Sequence, residues 1–265
     1  MLFHALEMSS KKYPNKRAVI GEHRALTFSE LLRQVRQVAR YFQTLRLGPG
    51  DHLVVGIPPS PEFYVLFFAA AALGVKTIPV SPSGKLPSQV KALEPITIAG
   101  TKEFIEAVER SGVRPRYIVP WDQKKALWIT PPAGRFVRTK MVRQEAVLGT
   151  SSSGTTGEPA IFLRSAESLF RRARLGGIAW GIEAKDIMLS TGPFTSGVNV
   201  NYHLILPVVL GATVVVLEKF HWRKVVEMTP REQVTVLFAV PLIFDLLARL
   251  PSSYHPDLSS LRLLG

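Results

Sequence analysis

The sequence has 265 residues, of which 46% are hydrophobic and 20% charged, a globular composition with enough length for a large core. It contains no cysteine, which excludes disulfides, thiolate zinc sites and cysteine nucleophiles. Lys and Arg number 33 against 20 Asp and Glu, so the net charge of +13 favours anionic partners. The positive charge has a second explanation: one half of a larger protein is basic when most of the acidic residues lie in the other half. Because the basic residues are scattered and no RNA-binding or zinc-finger signature occurs, no nucleic-acid partner is predicted.

No apolar run reaches the roughly 18 residues that a transmembrane helix requires. The best candidate, Phe63 to Leu73, is about a third too short and is interpreted as a buried helix. The amino terminus lacks the charged-then-apolar order of a secretory signal. A cytoplasmic location is therefore predicted, and weak peripheral membrane contact is left open.

Helix and strand patterns alternate along the chain. The first long helix is predicted from a capping-box spacing at Thr27 and Glu30, followed by apolar residues at helical intervals as far as Leu45. Predicted strands follow at Leu53–Ile57, Thr77–Val80, Thr97–Ala99, Tyr117–Val119, Ile187–Thr191, Thr213–Leu217 and Val234–Val240. Further helices are predicted at Ala166–Trp180, Val200–Leu210 and Leu242–Leu250.

These strands are short β-branched runs, mostly without alternation, which is typical of parallel strands covered by helices on both faces. The alternation of the two patterns predicts an α/β fold. Pro207 predicts a kink or an early end in the helix that contains it. The stretch from Pro120 to Arg143 is interpreted as a connector between subdomains.

Hydroxyl and glycine residues are concentrated in one segment, Ser152-Ser153-Gly154-Thr155-Thr156-Gly157. Glycines let successive N–H groups converge, and hydroxyl groups add donors, so the pattern predicts a phosphate-binding loop. The alternative is a flexible linker, but a strand pattern precedes the segment and a helix pattern soon follows. It is not a Walker loop, because Glu158 and Pro159 stand where that motif requires Lys and Ser or Thr.

The segment Ser152–Pro159 resembles the signature of adenylate-forming (AMP-binding) enzymes, Thr/Ser-Ser-Gly-Thr-Thr-Gly-x-Pro-Lys. This superfamily includes acyl-CoA synthetases, luciferases and the adenylation domains of peptide synthetases. Other blocks of the chain are similar to the family in order and spacing: Ala25–Leu31, Ala72–Val80, Gly211–Val215, Val234–Pro241 and Leu258–Arg262. The resemblance implies two α/β subdomains with parallel-rich sheets covered by helices. It also implies that Ser152, Ser153, Gly154, Thr155, Thr156 and Gly157 bind the nucleotide phosphates.

Two departures from the family concern the site. Ala160 replaces the family's Lys, so no catalytic residue is assigned; Arg164, a few residues on, is a candidate to supply the missing cation. The acyl pocket is expected at Phe194, Thr195, Ser196 and Gly197, where many relatives have a His or an aromatic residue and Ser196 is the best match. His203 is expected to pack on a helix and to have no chemical role.

The resemblance implies that residues 1–265 are a truncated amino-terminal domain, inactive by itself. The family's adenine-contacting turn, its Tyr-Gly-x-Thr-Glu stretch and its mobile carboxy-terminal domain come later than Gly265. The parent protein is expected to be an acyl-CoA synthetase. It would use ATP and Mg²⁺ to convert a carboxylic acid, with a fatty acid favoured, to an acyl-adenylate and then transfer the acyl group to coenzyme A. The metal ligands and the oligomeric state are not predicted.

Two alternatives remain open at this point. An amino-acid or aryl-acid adenylation domain is one, but no Asp occurs between Ile187 and Leu217 to bind a substrate amino group, which favours an unaminated acid. The other is a noncatalytic nucleotide-binding or scaffolding remnant, suggested by Ala160 and by the family elements that are missing.

Overall fold

The computed structural model describes residues 1–82, 90, 93, 96–122, 126–127, 146–151, 161–250 and 257–265. Its helices are α1 (Leu2–Lys12), α2 (Phe28–Thr44), α3 (Pro61–Leu73), α4 (Lys102–Arg110), α5 (Ala166–Trp180), α6 (Gly197–Asn199), a π-helix (Val200–Ile205), α7 (Leu206–Leu210), α8 (Trp222–Glu232) and α9 (Pro241–Ala248). Its strands are β1 (Arg17–Ile20), β2 (Ala25–Thr27), β3 (His52–Gly56), β4 (Lys76–Pro79), β5 (Ile96–Gly100), β6 (Tyr117–Asp122), β7 (Ala126–Leu127), β8 (Ala146–Ser151), β9 (Ile161–Ser165), β10 (Ile187–Ser190), β11 (Thr213–Val216), β12 (Val236–Phe238) and β13 (Leu263–Leu264).

The described strands form two parallel-rich sheets. One has the order β13-β12-β10-β11-β1-β2, in which only the edge strand β2 runs antiparallel to its neighbour. The other has the order β7-β6-β5-β3-β4-β8-β9, and its antiparallel strands, β7 and β9, are also at the edges. Central parallel strands with antiparallel edges account for the non-alternating apolar runs of the sequence. The predicted α/β fold with two subdomains is confirmed.

The main hydrophobic core lies between the two sheets. Every residue of α3 is buried, and the α3 side chains share one apolar cluster with α2 and with strands of both sheets. A helix that is apolar on all sides has no face for solvent, so the sequence of α3 places it inside the protein. Gly74 ends it in the left-handed conformation at φ 78°, which an L side chain adopts only at a cost. None of the helices in the described ranges is long and apolar enough to span a membrane.

The helix predicted at Val200–Leu210 differs from the observed one. The helical segment begins at Gly197, passes through the π-helix and returns to α geometry at Leu206. Pro207 has no N–H to donate to the carbonyl four residues earlier, that of His203. The Tyr64 hydroxyl of α3 donates to this carbonyl at 2.6 Å. The disturbance predicted from Pro207 is therefore a change of helix type, not an early end.

The remaining predicted elements are found with small shifts. Helix α5 has the predicted bounds, because Ser165 caps its first turn and Gly181 ends it in the left-handed conformation. The strand predicted at Val234–Val240 is shorter, since only Val236–Phe238 pairs with β10. In the predicted connector Pro120–Arg143, strand β6 continues to Asp122 and pairs with β7, and the rest of the connector lies outside the described residues.

Candidate active site

The carboxyl ends of strands from both sheets surround one cavity of about 470 Å³. In open parallel sheets ligands bind at this edge, where the loops that follow the strands diverge. The cavity is lined by the segments that follow β3, β4, β10 and β11, together with Phe63 of α3. Much of its wall is apolar, including Ile57, Val80, Leu217 and Phe220. The cavity is thus suited to an apolar group.

Strand β8 leads into the sequence-predicted phosphate loop. It runs parallel to β4, with Leu148 opposite Thr77, so the carboxyl end of β8 lies beside that of β4, whose end lines the cavity. The predicted phosphate-binding residues Ser152, Ser153, Gly154, Thr155, Thr156 and Gly157 lie outside the described residues, as does Ala160. Their role stays a prediction, and the strand that leads into them ends next to the cavity.

The predicted acyl-pocket residues follow the carboxyl end of β10. Phe194 is 2% exposed, and its ring centroid lies 4.9 Å from that of Phe63 and 5.7 Å from that of Tyr64. Thr195 lines the cavity, and Ser196 immediately precedes α6 without a side-chain cap hydrogen bond. Phe194 therefore anchors this loop in the core, while the residues after it stay partly exposed. Their binding of the acid stays a prediction.

Two asparagines that sequence reasoning missed hold this loop in place. Asn199 Nδ2 donates to the Pro193 carbonyl at 3.1 Å, and Asn201 Nδ2 donates to the Gly197 carbonyl at 2.6 Å. A Cβ at Gly192 would lie 2.3 Å from Asn199 Nδ2, so the absence of a side chain at Gly192 leaves room for the Asn199 amide. The sequence signal is limited to Asn201, which lies in the predicted helix Val200–Leu210 among mostly apolar residues, where an amide needs a partner.

His203 is buried in the π-helix, in agreement with the expectation that it packs on a helix. Its Nδ1 lies 3.1 Å from Asn199 Oδ1, and its ring centroid is 6.4 Å from that of Phe238. Its Nε2 is buried and has no hydrogen-bond partner. Burial lowers the pKa of His203 to about 4, so the imidazole is neutral at pH 7.

Acid is expected to destabilise the fold through His203. Since its pKa is about 4 in the folded protein and near 6.5 when unfolded, the unfolded chain binds more protons between these values, and stability falls as the pH decreases through this window. Between pH 7 and pH 5 this loss amounts to about 2 kcal/mol. Urea unfolding of the wild type and of His203→Leu at both pH values measures it. The variant should lose about 2 kcal/mol less than the wild type, and parallel losses would contradict the assignment.

Arg164 lies on β9, directly against the acyl-pocket loop. A Cβ at Gly197 would be 3.0 Å from its Nη2 and 3.6 Å from its Cζ. The cation suggested from the sequence is therefore next to a residue of the predicted acyl pocket. Sequence reasoning could name Arg164 as a candidate but could not supply this neighbour, because the contact joins an edge strand of one sheet to the loop that follows a strand of the other.

A cluster of aromatic rings lies at the carboxyl end of β12. The Phe238 ring centroid is 5.4 Å from that of Trp180 and 5.2 Å from that of Tyr202. The neighbouring Tyr202 and the exposed side of α5 line a second cavity of about 680 Å³.

Among the residues that the structure describes, no group of three or more His, Cys, Asp or Glu side chains is placed to bind a metal ion.

Two relatives identified by sequence align with nearly the whole length of this chain. The uncharacterized acyl-CoA ligase YhfT of Bacillus subtilis (strain 168) is 28% identical over 250 residues, which cover 93% of this chain and 51% of that protein. An acetyl-coenzyme A synthetase of Emericella nidulans is 23% identical over 99% of this chain and 45% of its own length. The chain thus spans about half the length of the curated relatives it matches.

A solved structure shows the same fold. The anthranilate CoA ligase AuaEII, crystallised with anthranoyl-AMP, superposes on 99% of this chain and 54% of its own with a TM-score of 0.87 at 22% identity. The profile of the AMP-binding enzyme family matches residues 6–265. This match, which covers both sheets and the loops around the cavity, shows that the chain belongs to the AMP-binding enzyme family.

Proposed function

We propose that the protein containing this chain activates an apolar carboxylic acid with ATP and transfers the acyl group to coenzyme A. The observation that carries the proposal is the Ser152–Gly157 segment, whose preceding strand ends beside a cavity with apolar walls. Since the chain spans about half of its curated relatives, the activity is proposed for a protein that also contains the portion those relatives have beyond the match. A cytoplasmic location is part of this proposal.

The reaction has two steps. A carboxylate oxygen of the acid attacks the α-phosphorus of ATP, a new acyl–phosphate bond forms, and the bond to the bridging oxygen of pyrophosphate breaks. The thiol sulfur of coenzyme A then attacks the acyl carbon, loses its proton and displaces AMP. Backbone N–H and hydroxyl groups of Ser152–Gly157 would offset the negative charge of the β and γ phosphates. Mg²⁺ would arrive with the nucleotide and screen the same charge.

A fatty acid or another unaminated apolar acid is the proposed substrate class. The cavity walls include Phe63, Val80 and Leu217, and no Asp occurs between Ile187 and Leu217 to hold an ammonium group. AuaEII was crystallised with an aryl-adenylate, so aryl acids belong in any test of specificity.

Pyrophosphate exchange into ATP by the full-length protein tests the proposal. Fatty, aryl and amino acids are supplied one at a time, and exchange is expected with at least one fatty or aryl acid and with no amino acid. Exchange that depends on an amino acid would contradict the substrate class. If no acid of the panel supports exchange, the enzymatic proposal is wrong.

A noncatalytic nucleotide-binding or scaffolding role is the second candidate, and the observation that favours it is Ala160, because one cation of the family's phosphate loop is absent. A binding measurement on the full-length protein distinguishes the two roles. ATP binding measured by calorimetry, without exchange for any acid, would support the noncatalytic role.

A further inference from the structure

The position of Arg164 results from the pairing of β8 with β9. Arg164 lies opposite Leu148 in this antiparallel pair. Side chains alternate along a strand, and Ile161, three residues earlier, packs against the core of the seven-stranded sheet. Arg164 points to the opposite face, where its Nη2, Cζ and Nη1 lie 3.0, 3.6 and 3.7 Å from the Cβ position of Gly197.

Among the residues that the structure describes, no carboxylate is paired with the guanidinium of Arg164. The side chain is half-buried, yet the described residues give it neither an ion pair nor a hydrogen bond. The nearest acidic residue in sequence, Glu167, pairs with Arg171 at 3.8 Å. A guanidinium has five N–H donors, and removing them partly from water without an acceptor is unfavourable. An anion is the group that would satisfy this side chain.

Gly197 lets the guanidinium of Arg164 approach the backbone of the loop closely. Any side chain at position 197 would start 3.0 Å from the guanidinium, and it would cover the face that Arg164 turns toward the loop. Asn201 holds the Gly197 carbonyl at 2.6 Å, so the backbone there is fixed. The neighbours Thr195 and Ser196 are partly exposed. Arg164 therefore lies against the loop that carries the predicted acyl-pocket residues, and Thr195 of that loop lines the cavity.

We propose that Arg164 binds the carboxylate of the acid substrate through its planar fork. This assignment rests on the proposed function. A guanidinium matches the two oxygens of a carboxylate, and such bidentate bonds fix orientation as well as affinity. Arg164 therefore aligns the acid for its attack on ATP and takes no part in proton transfer.

The phosphates of ATP are the other oxyanions at such a site, but the geometry favours the carboxylate. Arg164 is three residues beyond Ile161, or about 10 Å along the strand from the end nearest the phosphate loop. The loop that it contacts is the one predicted to border the acyl group. Loss of a residue that binds the acid raises the KM for the acid, whereas loss of a residue that binds the phosphates raises the KM for ATP.

The test compares Arg164→Gln and Arg164→Lys with the control Arg110→Gln in the full-length protein. Arg110→Gln removes the same charge at a position far from the site. The Arg110 side chain is 71% exposed on α4 and pairs only weakly with Glu106 at 3.7 Å. Pyrophosphate exchange gives the KM for the best acid of the panel and for ATP. Binding of octanoate and of benzoate without ATP is measured by calorimetry.

Arg164→Gln is expected to raise the KM and the Kd for the acid roughly 10- to 100-fold, because a charge-assisted hydrogen-bond pair is lost. The KM for ATP should stay within about twofold. Arg164→Lys should recover part of the loss, since an ammonium keeps the charge without the fork. The control should match the wild type, and equal thermal midpoints of all variants would confirm that folding is intact.

Each other outcome has a distinct meaning. If Arg164→Gln leaves acid KM and Kd unchanged, or raises only the KM for ATP, the Arg164 assignment is wrong although the proposed function stands. If the wild type binds acid without exchange, the proposed function fails, and the Kd of Arg164→Gln still decides the assignment. A wild type that binds neither octanoate nor benzoate and shows no exchange overturns both.

Discussion

Replacing Thr155 and Thr156 together with valine is expected to abolish acid-dependent pyrophosphate exchange by the full-length protein. Valine keeps the shape of threonine but removes the hydroxyl donors that the resemblance to the family assigns to the β and γ phosphates. One preorganised donor to developing negative charge is commonly worth a factor of about 10² to 10³ in rate, so losing two should lower exchange by at least about 10³-fold. Ala160 leaves the loop with one cation fewer than its family, which makes the hydroxyl donors more important.

The matched control for this double variant is Thr44→Val. Thr44 is exposed at the end of α2, and its hydroxyl donates to the Tyr41 carbonyl at 2.6 Å, remote from the cavity. The control should keep wild-type exchange, and both proteins should unfold at the same temperature as the wild type. Wild-type exchange by the double variant would show that the phosphates bind elsewhere and would remove the main support for the proposed function.

The fold was largely predictable because its signals are local. Apolar runs such as Leu53–Ile57 must be buried on both faces, and Ser165 and Gly181 mark the ends of α5 through capping chemistry. The π-helix was not predictable, because apolar spacing shows only that Val200–Leu210 is helical. Its geometry depends on Pro207 together with a hydroxyl donor, Tyr64, that lies 139 positions before the carbonyl it contacts.

The candidate site also has a part that could be predicted from the sequence and a part that could not. The phosphate loop is a local motif, and its place after a strand could be read from the residues alone. The cavity could not, because it exists only where the ends of β3, β4, β10 and β11 meet. The contact of Arg164 with Gly197 likewise depends on the packing of an edge strand against a loop from the other sheet. Sequence supplies the chemical groups, and tertiary structure decides which of them can act together.

The carboxylate of Asp186 joins three segments at the start of β10. Its side chain is 1% exposed and accepts hydrogen bonds from Arg262 Nη2 at 2.5 Å and from Arg262 Nε at 2.8 Å. Thr235 Oγ1 and the Glu183 N–H also donate to it, each at 2.8 Å. Burial by itself raises the pKa of Asp186, but the hydrogen bonds from Arg262, Glu183 and Thr235 outweigh it and hold this pKa below its ordinary value.

Asp186→Ala is expected to lower the free energy of unfolding by about 3 kcal/mol, because it removes the buried carboxylate that accepts hydrogen bonds from Arg262 and Thr235. The Arg262 side chain is 38% exposed, so water recovers part of the loss and the lower end of the range for broken buried pairs applies. Urea unfolding at pH 7 measures the effect. Asp245→Ala is the control, because Asp245 and Arg249 pair on the exposed surface at 2.9 Å and such pairs contribute about 0–1 kcal/mol.

The double variant Asp186→Ala/Arg262→Ala separates the pair from the general cost of losing a buried residue. If the two side chains stabilise the protein through each other, the double variant should be less destabilised than the sum of the single variants. Strict additivity, or a loss for Asp186→Ala no larger than that for Asp245→Ala, would show that the bonds around Asp186 do not hold β10, β12 and β13 together. Because β10 leads directly into the loop that carries Phe194 and Gly197, loosening these strands should also weaken acid binding in the same variant.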